Sequence, residues 1–249
     1  MRHRLKRAGL LGLLALLLGL PAPGPARAVT SLEQIDRLEA VYGALLDYRP
    51  GAIPGARPQG RIEAGVEIDP IPRIVNKVGA KSETVNPPPA IARARLDWSP
   101  WSGLRVGGFA IPPVTVQGMT SDLLGVEAEL GMINRTFRGS LRAFATQGTV
   151  TGPITDRTTR DRFSVNGSGA DVRAGWVLQA WALYGGLGQA ENETRLKVQS
   201  DGSVIDKRHR YGYGFLGLGW MKGAWTTVLE QHQTEDYLTH LVLTVSHDF

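Results

Sequence analysis

Hydrophobic and polar residues alternate one for one through most of the chain after position 60. Ile62, Ala64, Val66 and Ile68 interleave with Glu63, Glu67 and Asp69. Ala92, Ala94, Leu96 and Trp98 interleave with Arg93, Arg95 and Asp97, and Val126, Ala128, Leu130 and Met132 with Glu127, Glu129 and Gly131. The pattern returns in Leu141, Ala143 and Ala145 against Ser140, Arg142 and Thr146, and in Val172, Ala174 and Trp176 against Asp171, Arg173 and Gly175. It returns again in Leu241, Leu243, Val245 and Phe249 against His240, Thr244, Ser246 and Asp248. A period of two puts successive side chains on opposite faces of a strand. Ten strands are expected, at 61–69, 90–98, 103–111, 121–133, 137–149, 162–176, 179–190, 208–220, 224–233 and 237–249. Most run near the 9–11 residues that a tilted strand needs to cross a bilayer.

Before position 60 the spacing is different. In Ser31–Tyr48, Leu32, Ile35, Leu38, Tyr42 and Leu45 recur at steps of three and four behind Ser31 as N-cap, which predicts one amphipathic helix. Its apolar stripe needs cover, either as a plug inside a larger structure or as a lid against it. Pro50, Pro54 and Pro58, set among glycines, then read as a linker.

The connections between strands are of two kinds. Short ones (SPWS, INRT, VL, MKG) follow the second, fourth, sixth and eighth strands. Longer ones, 70–89, 112–120, 150–161 and 191–207, follow the first, third, fifth and seventh, and only the hairpin at TEDY breaks the trend. The six tryptophans fall in three pairs, Trp98 with Trp101, Trp176 with Trp181 and Trp220 with Trp225, each bracketing a short turn. If those turns share one rim, the indoles form a belt there, where a ring with an apolar body and a polar N–H favours a membrane–water interface.

The first 28 residues change how the charge is read. Arg2, Arg4, Lys6 and Arg7 precede an apolar run from Ala8 to Leu20, and the stretch closes on Ala26-Arg27-Ala28. This is the layout of a secretory signal peptide, with cleavage expected after Ala28. The run is too short for a spanning helix and ends in Pro21, Pro23 and Pro25. The whole chain carries 28 basic against 23 acidic residues, but five of the cations lie in this leader, leaving 23 against 23. The basic balance that would have suggested nucleic acid is thus lost on export. There is no cysteine, which excludes a disulfide framework and a lipid-anchored N-terminal Cys.

Taken together, the leader, the alternating strands, the uneven connections and the final Phe249 resemble a Gram-negative outer-membrane β-barrel. The resemblance implies an all-β fold: a closed antiparallel transmembrane barrel of ten strands, or eight if two segments are demoted. It implies residence in the outer membrane, contact with outer-membrane lipid, and recognition of the last strand by the barrel assembly machinery through Leu241, Leu243, Val245 and Phe249. His247 departs from the apolar residue usual at its place. The domain plan is a leader at 1–28, a periplasmic helix and linker at 29–60, and a barrel at 61–249. The short turns and the tryptophan belt would face the periplasm.

In such a barrel the polar faces point inward. The lumen would be lined by Glu63, Glu67, Arg93, Arg95, Arg105, Glu127, Glu129, Arg138, Arg142, Asp171 and Arg173. Acidic and basic strands neighbour one another, so cross-strand attraction can fill the interior. The expected function is that of a structural or surface-interacting barrel, or of a narrow pore, with a largely salt-bridged lumen. The alternatives are a lipid-modifying enzyme with a site at the outer rim and a secreted, lipocalin-like binder. For the enzyme the candidates are Glu230, His232, Asp236 and His240, which as simple rim residues would be hydrated. A triad of His240, Ser246 and Asp248 is excluded, because at about 3.3 Å per residue the first two stand roughly 20 Å apart. The motif GYGFLG, Gly212 to Gly217, spells a dinucleotide fingerprint but lies inside a strand pattern with no helix after it. No metal and no cofactor are expected.

Overall fold

A computed structural model describes residues 51–55, 58–70, 90–116, 118–132, 136–155, 160–234 and 239–249, with only the backbone of 239 and 240. The expected leader and the Ser31–Tyr48 helix lie outside these residues, as does Asp236. Ten strands follow in chain order: β1 (Ile62–Pro70), β2 (Ala90–Trp101), β3 (Leu104–Val116), β4 (Met119–Met132), β5 (Phe137–Gly152), β6 (Asp161–Leu178), β7 (Trp181–Lys197), β8 (Val204–Lys222), β9 (Trp225–Thr234) and β10 (Thr239–Asp248). Each pairs antiparallel with its neighbour and the ring is closed. Closure removes the open edges that hydrocarbon does not tolerate.

The seam joins β1 to β10 from Glu63 opposite Asp248 to Ile68 opposite Leu243. The Phe249 N–H donates to the Ile62 carbonyl at 2.9 Å, and the Asp248 N–H to that of Ala224 at 2.9 Å, so the C-terminal residues are tied on both sides. Two irregularities have a local cause. Register shifts between Ile111 and Val114, where Pro112 and Pro113 bring no N–H to the ladder. The tight β8–β9 turn uses Gly223 at φ 61°, a conformation that costs glycine least.

The walls are uneven in height. β5 to β8 run 16 to 19 residues, whereas β1, β9 and β10 run only nine or ten. The connections expected at 112–120 and 191–207 are therefore mostly strand, and 150–161 is strand at its two ends. The physical reason is an inversion of polarity along the tall strands. Near the short turns the outward residues are apolar and exposed, such as Leu141, Val172, Trp176, Leu187 and Leu216. Farther along β7 and β8 the outward residues become Glu191, Glu193, Arg195, Asp206 and Arg208, while Phe163, Val165 and Leu196 turn inward and are buried. Alternation continues there, but its phase is reversed, and a reading keyed to an apolar outer face sees a loop.

The lower storey thus has the polarity of a barrel in hydrocarbon, greasy outside and charged inside. The upper storey has that of a water-soluble protein, with Phe109, Phe144, Phe163, Tyr213 and Phe215 in one buried cluster. All six tryptophans stand partly exposed at the turn end, from 37 % at Trp220 to 64 % at Trp101.

This division makes a prediction. Leu141→Arg, in the apolar band, is expected to cost about 2–4 kcal/mol of stability in lipid. Thr149→Arg, farther along the same outward row of β5, is expected to cost no more than about 0.5 kcal/mol. Urea titration of the vesicle-inserted protein, followed by tryptophan fluorescence, measures both; equal costs would contradict the division.

Candidate functional site: the lumen

Alternation on seven strands delivers charged side chains to one storey of the interior. Ladder register then sets acid against base: Glu67 opposite Arg93, Arg105 opposite Glu129, Glu129 opposite Arg142, and Arg142 opposite Asp171. The side chains follow that register. Arg93 Nη1 lies 2.6 Å from Glu67 and Nη2 lies 3.5 Å from Asp69. Arg95 grips Asp97 through Nε and Nη2 at 3.0 and 2.6 Å and reaches Glu127 at 3.5 Å. Arg105 pairs with Glu129 and lies 3.2 Å from Glu127. Arg142 pairs with Asp171 and lies 3.5 Å from Glu127. Arg173 meets Glu230 at 3.1 Å and Glu129 at 3.6 Å.

The fully buried cations are all arginines, whose planar fork serves two carboxylates at once. Several also face aromatic rings at the boundary with the upper storey. Arg93 lies 5.4 Å from the Phe109 centroid, Arg142 5.6 Å from Phe144, and Arg173 5.3 Å from Phe215. Such cation–π contacts join the charged layer to the apolar one above it.

A second component was not legible in the sequence. Gly51 to Gly55 lie inside the barrel, all buried, with Ile53 only 1 % exposed. The Pro/Gly stretch expected as a linker is here a strap across the lumen. Arg95 donates to the Gly51 carbonyl at 3.1 Å and Arg173 to that of Ala52 at 2.5 Å. The Ala52 N–H donates to Glu230 at 3.2 Å and the Gly55 N–H to Glu129 at 3.3 Å. The side chain of Ile53 fills a notch left by Gly219, where a Cβ would lie 2.7 Å from Ile53 Cδ1. At Gly51 a Cβ would lie 2.7 Å from Thr244 Oγ1. The strap thereby runs from the β9–β10 wall to the β4–β5 wall. Eight strands already give an interior that side chains just fill, so ten leave room for such a segment.

Each expected lumen residue can now be placed. Glu63, Glu67, Arg93, Arg95, Arg105, Glu127, Glu129, Arg142, Asp171 and Arg173 are buried on the inner wall, and Arg138 is half-buried against Gly55. Sequence reasoning missed Asp69, Asp97, Tyr184 and Tyr213, although Asp97 shares the inward phase of Arg95. Glu230 and His232 are corrected: they are not hydrated rim residues but 0 % exposed. Even-numbered residues of β9 point inward, which takes both into the lumen. His232 Nε2 lies 2.8 Å from Glu230, whose other oxygen accepts from the Tyr184 hydroxyl. The backbone of His240 pairs opposite His232, and its side chain is outside the described residues. Among the described residues no group of His, Asp and Glu is arranged to hold a metal ion.

GYGFLG has a packing role. It lies within β8, where Gly217 sits under the ring of Tyr184, and Gly212 and Gly214 face outward.

No family model matches the chain, and no curated protein does. Among solved structures, it is similar to an outer-membrane channel from Pseudomonas putida F1 (TM-score 0.44, 11% identity, covering 82% of this chain and 100% of that one). It is also similar to Ail, the attachment invasion locus protein of Yersinia pestis (0.31, 8% identity, 77% and 99%). A third is the translocator domain of the autotransporter NalP from Neisseria meningitidis (0.33, 12% identity, 88% and 95%). The chain's own architecture, a closed ten-stranded antiparallel barrel with an apolar outer band, is that of outer-membrane β-barrel proteins.

Two predictions follow from this geometry. Arg142→Ala strands Asp171 and Glu127 in the interior and is expected to cost about 3–5 kcal/mol. Arg195→Ala breaks an ion pair whose partners are 66 % and 56 % exposed, and because solvent screens such a pair little change in stability is expected. Equal effects in a urea titration would refute the contrast. Ile53→Cys, in a chain without cysteine, is expected to resist a hydrophilic maleimide in the folded barrel. Adding Glu230→Gln, which weakens the hold on Ala52, is expected to speed labelling.

Proposed function

We propose that this chain is an outer-membrane barrel that stands closed and acts through its outer surface, as a structural or surface-interacting protein. The observation that carries this reading is the filled lumen. A salt-bridged layer and the Gly51–Gly55 strap occupy one storey, and a buried aromatic cluster occupies the next. An open pore needs a continuous wet path, and a filled cross-section at two levels opposes one.

The same reading assigns the two ends. The turns with their tryptophans face the periplasm, and the taller end of β5 to β8 stands in the outside medium. Its outward ion pairs, such as Arg195 with Asp206 and Arg208 with Glu191, suit water and partner surfaces. Leu241, Leu243 and Val245 form the outward row of β10, and with the exposed Phe249 after it they are the residues the assembly machinery would read. Against the enzyme reading, the two candidates among the described side chains, Glu230 and His232, are sealed in the wall network. A secreted binder would expose Leu130, Leu141, Val172 and Leu187 to water, each more than half exposed.

Planar-bilayer recording tests the proposal. The purified full-length protein, shown to be folded by heat-modifiable gel mobility, is expected to give no steady ohmic steps. Uniform single-channel steps from the wild-type protein would instead support the narrow pore.

A further inference from the structure

The outer wall carries a groove that the lumen argument does not use. It lies over β8 where Gly212 and Gly214 face outward, and its volume is about 740 Å³. Register explains its shape. Gly214 stands opposite Leu187 on β7 and Gln233 on β9, and Gly212 stands opposite Gln189. Side chains on the flanking strands therefore form two banks, and the middle strand supplies a floor with no side chain. Adjacent strands lie about 4.8 Å apart, so the banks are roughly 10 Å from each other, the width of one extended hydrocarbon chain with its contacts.

The groove changes character along its length. Leu216 closes the end nearer the tryptophans and Leu187 flanks the middle, both within the apolar band at 49 % and 75 % exposure. At the other end stands Gln189, which accepts from Arg210 Nη2 at 3.0 Å. Here the outward row passes from apolar to charged, so this end lies at the level of lipid headgroups. The neighbouring outward arginines hold carboxylates: Arg195 has Asp206, and Arg208 has Glu191 and Glu193. Among the described residues Arg210 holds only the neutral amide of Gln189 and pairs with no carboxylate.

From this combination we propose that the groove is a binding site for one phosphate-bearing lipid of the surrounding leaflet. An acyl chain lies along Gly212 and Gly214, and the phosphate meets Arg210 and Gln189. The chemistry is complementary at both ends. A guanidinium and an amide N–H donate to phosphate oxygens, and an acyl chain fills a trough that lipid packed against a smooth wall would leave void. The site is independent of whether the lumen conducts.

Native mass spectrometry of the full-length protein reads the outcome directly. The protein is folded into phosphatidylcholine vesicles doped with phosphatidylglycerol, then released in mild detergent. The wild type is expected to retain one phosphatidylglycerol in preference to phosphatidylcholine. Arg210→Gln removes a charge-assisted contact and Gly214→Leu fills the trough, and each is expected to lower the retained fraction about tenfold. Heat-modifiable mobility checks that both variants fold. Lys197→Gln, which removes an exposed cation at the far end of β7, is the control and is expected to match the wild type. Should the wild type retain neither lipid preferentially, or should both folded variants retain it undiminished, the site does not exist. Loss with Gly214→Leu alone would leave an acyl trough without a phosphate contact and overturn the headgroup assignment.

Discussion

A charge set inside a wall that stands in hydrocarbon must find its countercharge within that wall. The lower storey of this barrel is organised by that constraint. Ladder register brings Glu67 to Arg93, and Glu129 to both Arg105 and Arg142. The hydrogen-bonded backbone and the ion pairs therefore specify the same alignment. A slip of one residue would turn the arginines toward lipid and the leucines toward the axis, losing both at once. Register is pinned far more firmly here than by apolar packing alone.

The strap belongs to the same network. Two of its amides go to Glu230 and Glu129, and two of its carbonyls accept from Arg95 and Arg173. Such a segment must be narrow and almost without side chains, and Gly-Ala-Ile-Pro-Gly is both. The walls are cut to receive it: Gly219 makes the notch for Ile53, and a larger residue at Gly51 would meet Thr244. Glycine thus serves the molecule in three separate ways, as a turn at Gly223, as a notch at Gly219 and as the floor of an outer groove at Gly212 and Gly214.

The fold was legible in the sequence because a barrel repeats one simple rule, polar in and apolar out at every second residue. Leu141 beside Arg142, or Val172 beside Asp171, states that rule in two letters. Three features escaped it. The upper strands reverse the phase, so Leu196 points inward where the pattern had put an outer loop. The strap has no period and reads as an ordinary Pro/Gly spacer. Glu230 and His232 sit on a strand whose outward row, Thr227, Leu229, Gln231 and Gln233, is too polar to fix its phase, so they were placed at a wet rim. Contacts such as Arg173 with the Ala52 carbonyl join positions 121 residues apart, and no local pattern encodes them.

The balance of charge in the lumen explains why the strap is more than a stopper. Among the described residues nine carboxylates are buried against five arginines. Each arginine is therefore shared between carboxylates, and their remaining acceptor positions call for further donors, since a carboxylate left without donors in this setting is costly. Neutral donors make up the difference. Tyr184 donates to Glu230, Tyr213 to Asp171 at 2.8 Å, and Ser246 to Glu63 at 2.5 Å. At the upper end Asp161 accepts from the Thr155 and Gln199 backbone at 2.7 and 2.9 Å. The Ala52 and Gly55 amides belong to this set, since both are aimed at carboxylates. A peptide carries a donor at nearly every residue and no net charge, which suits it to a space where acids outnumber bases and another cation would have to be desolvated. The strap therefore crosses the lumen and completes its electrostatics with the same hydrogen bonds.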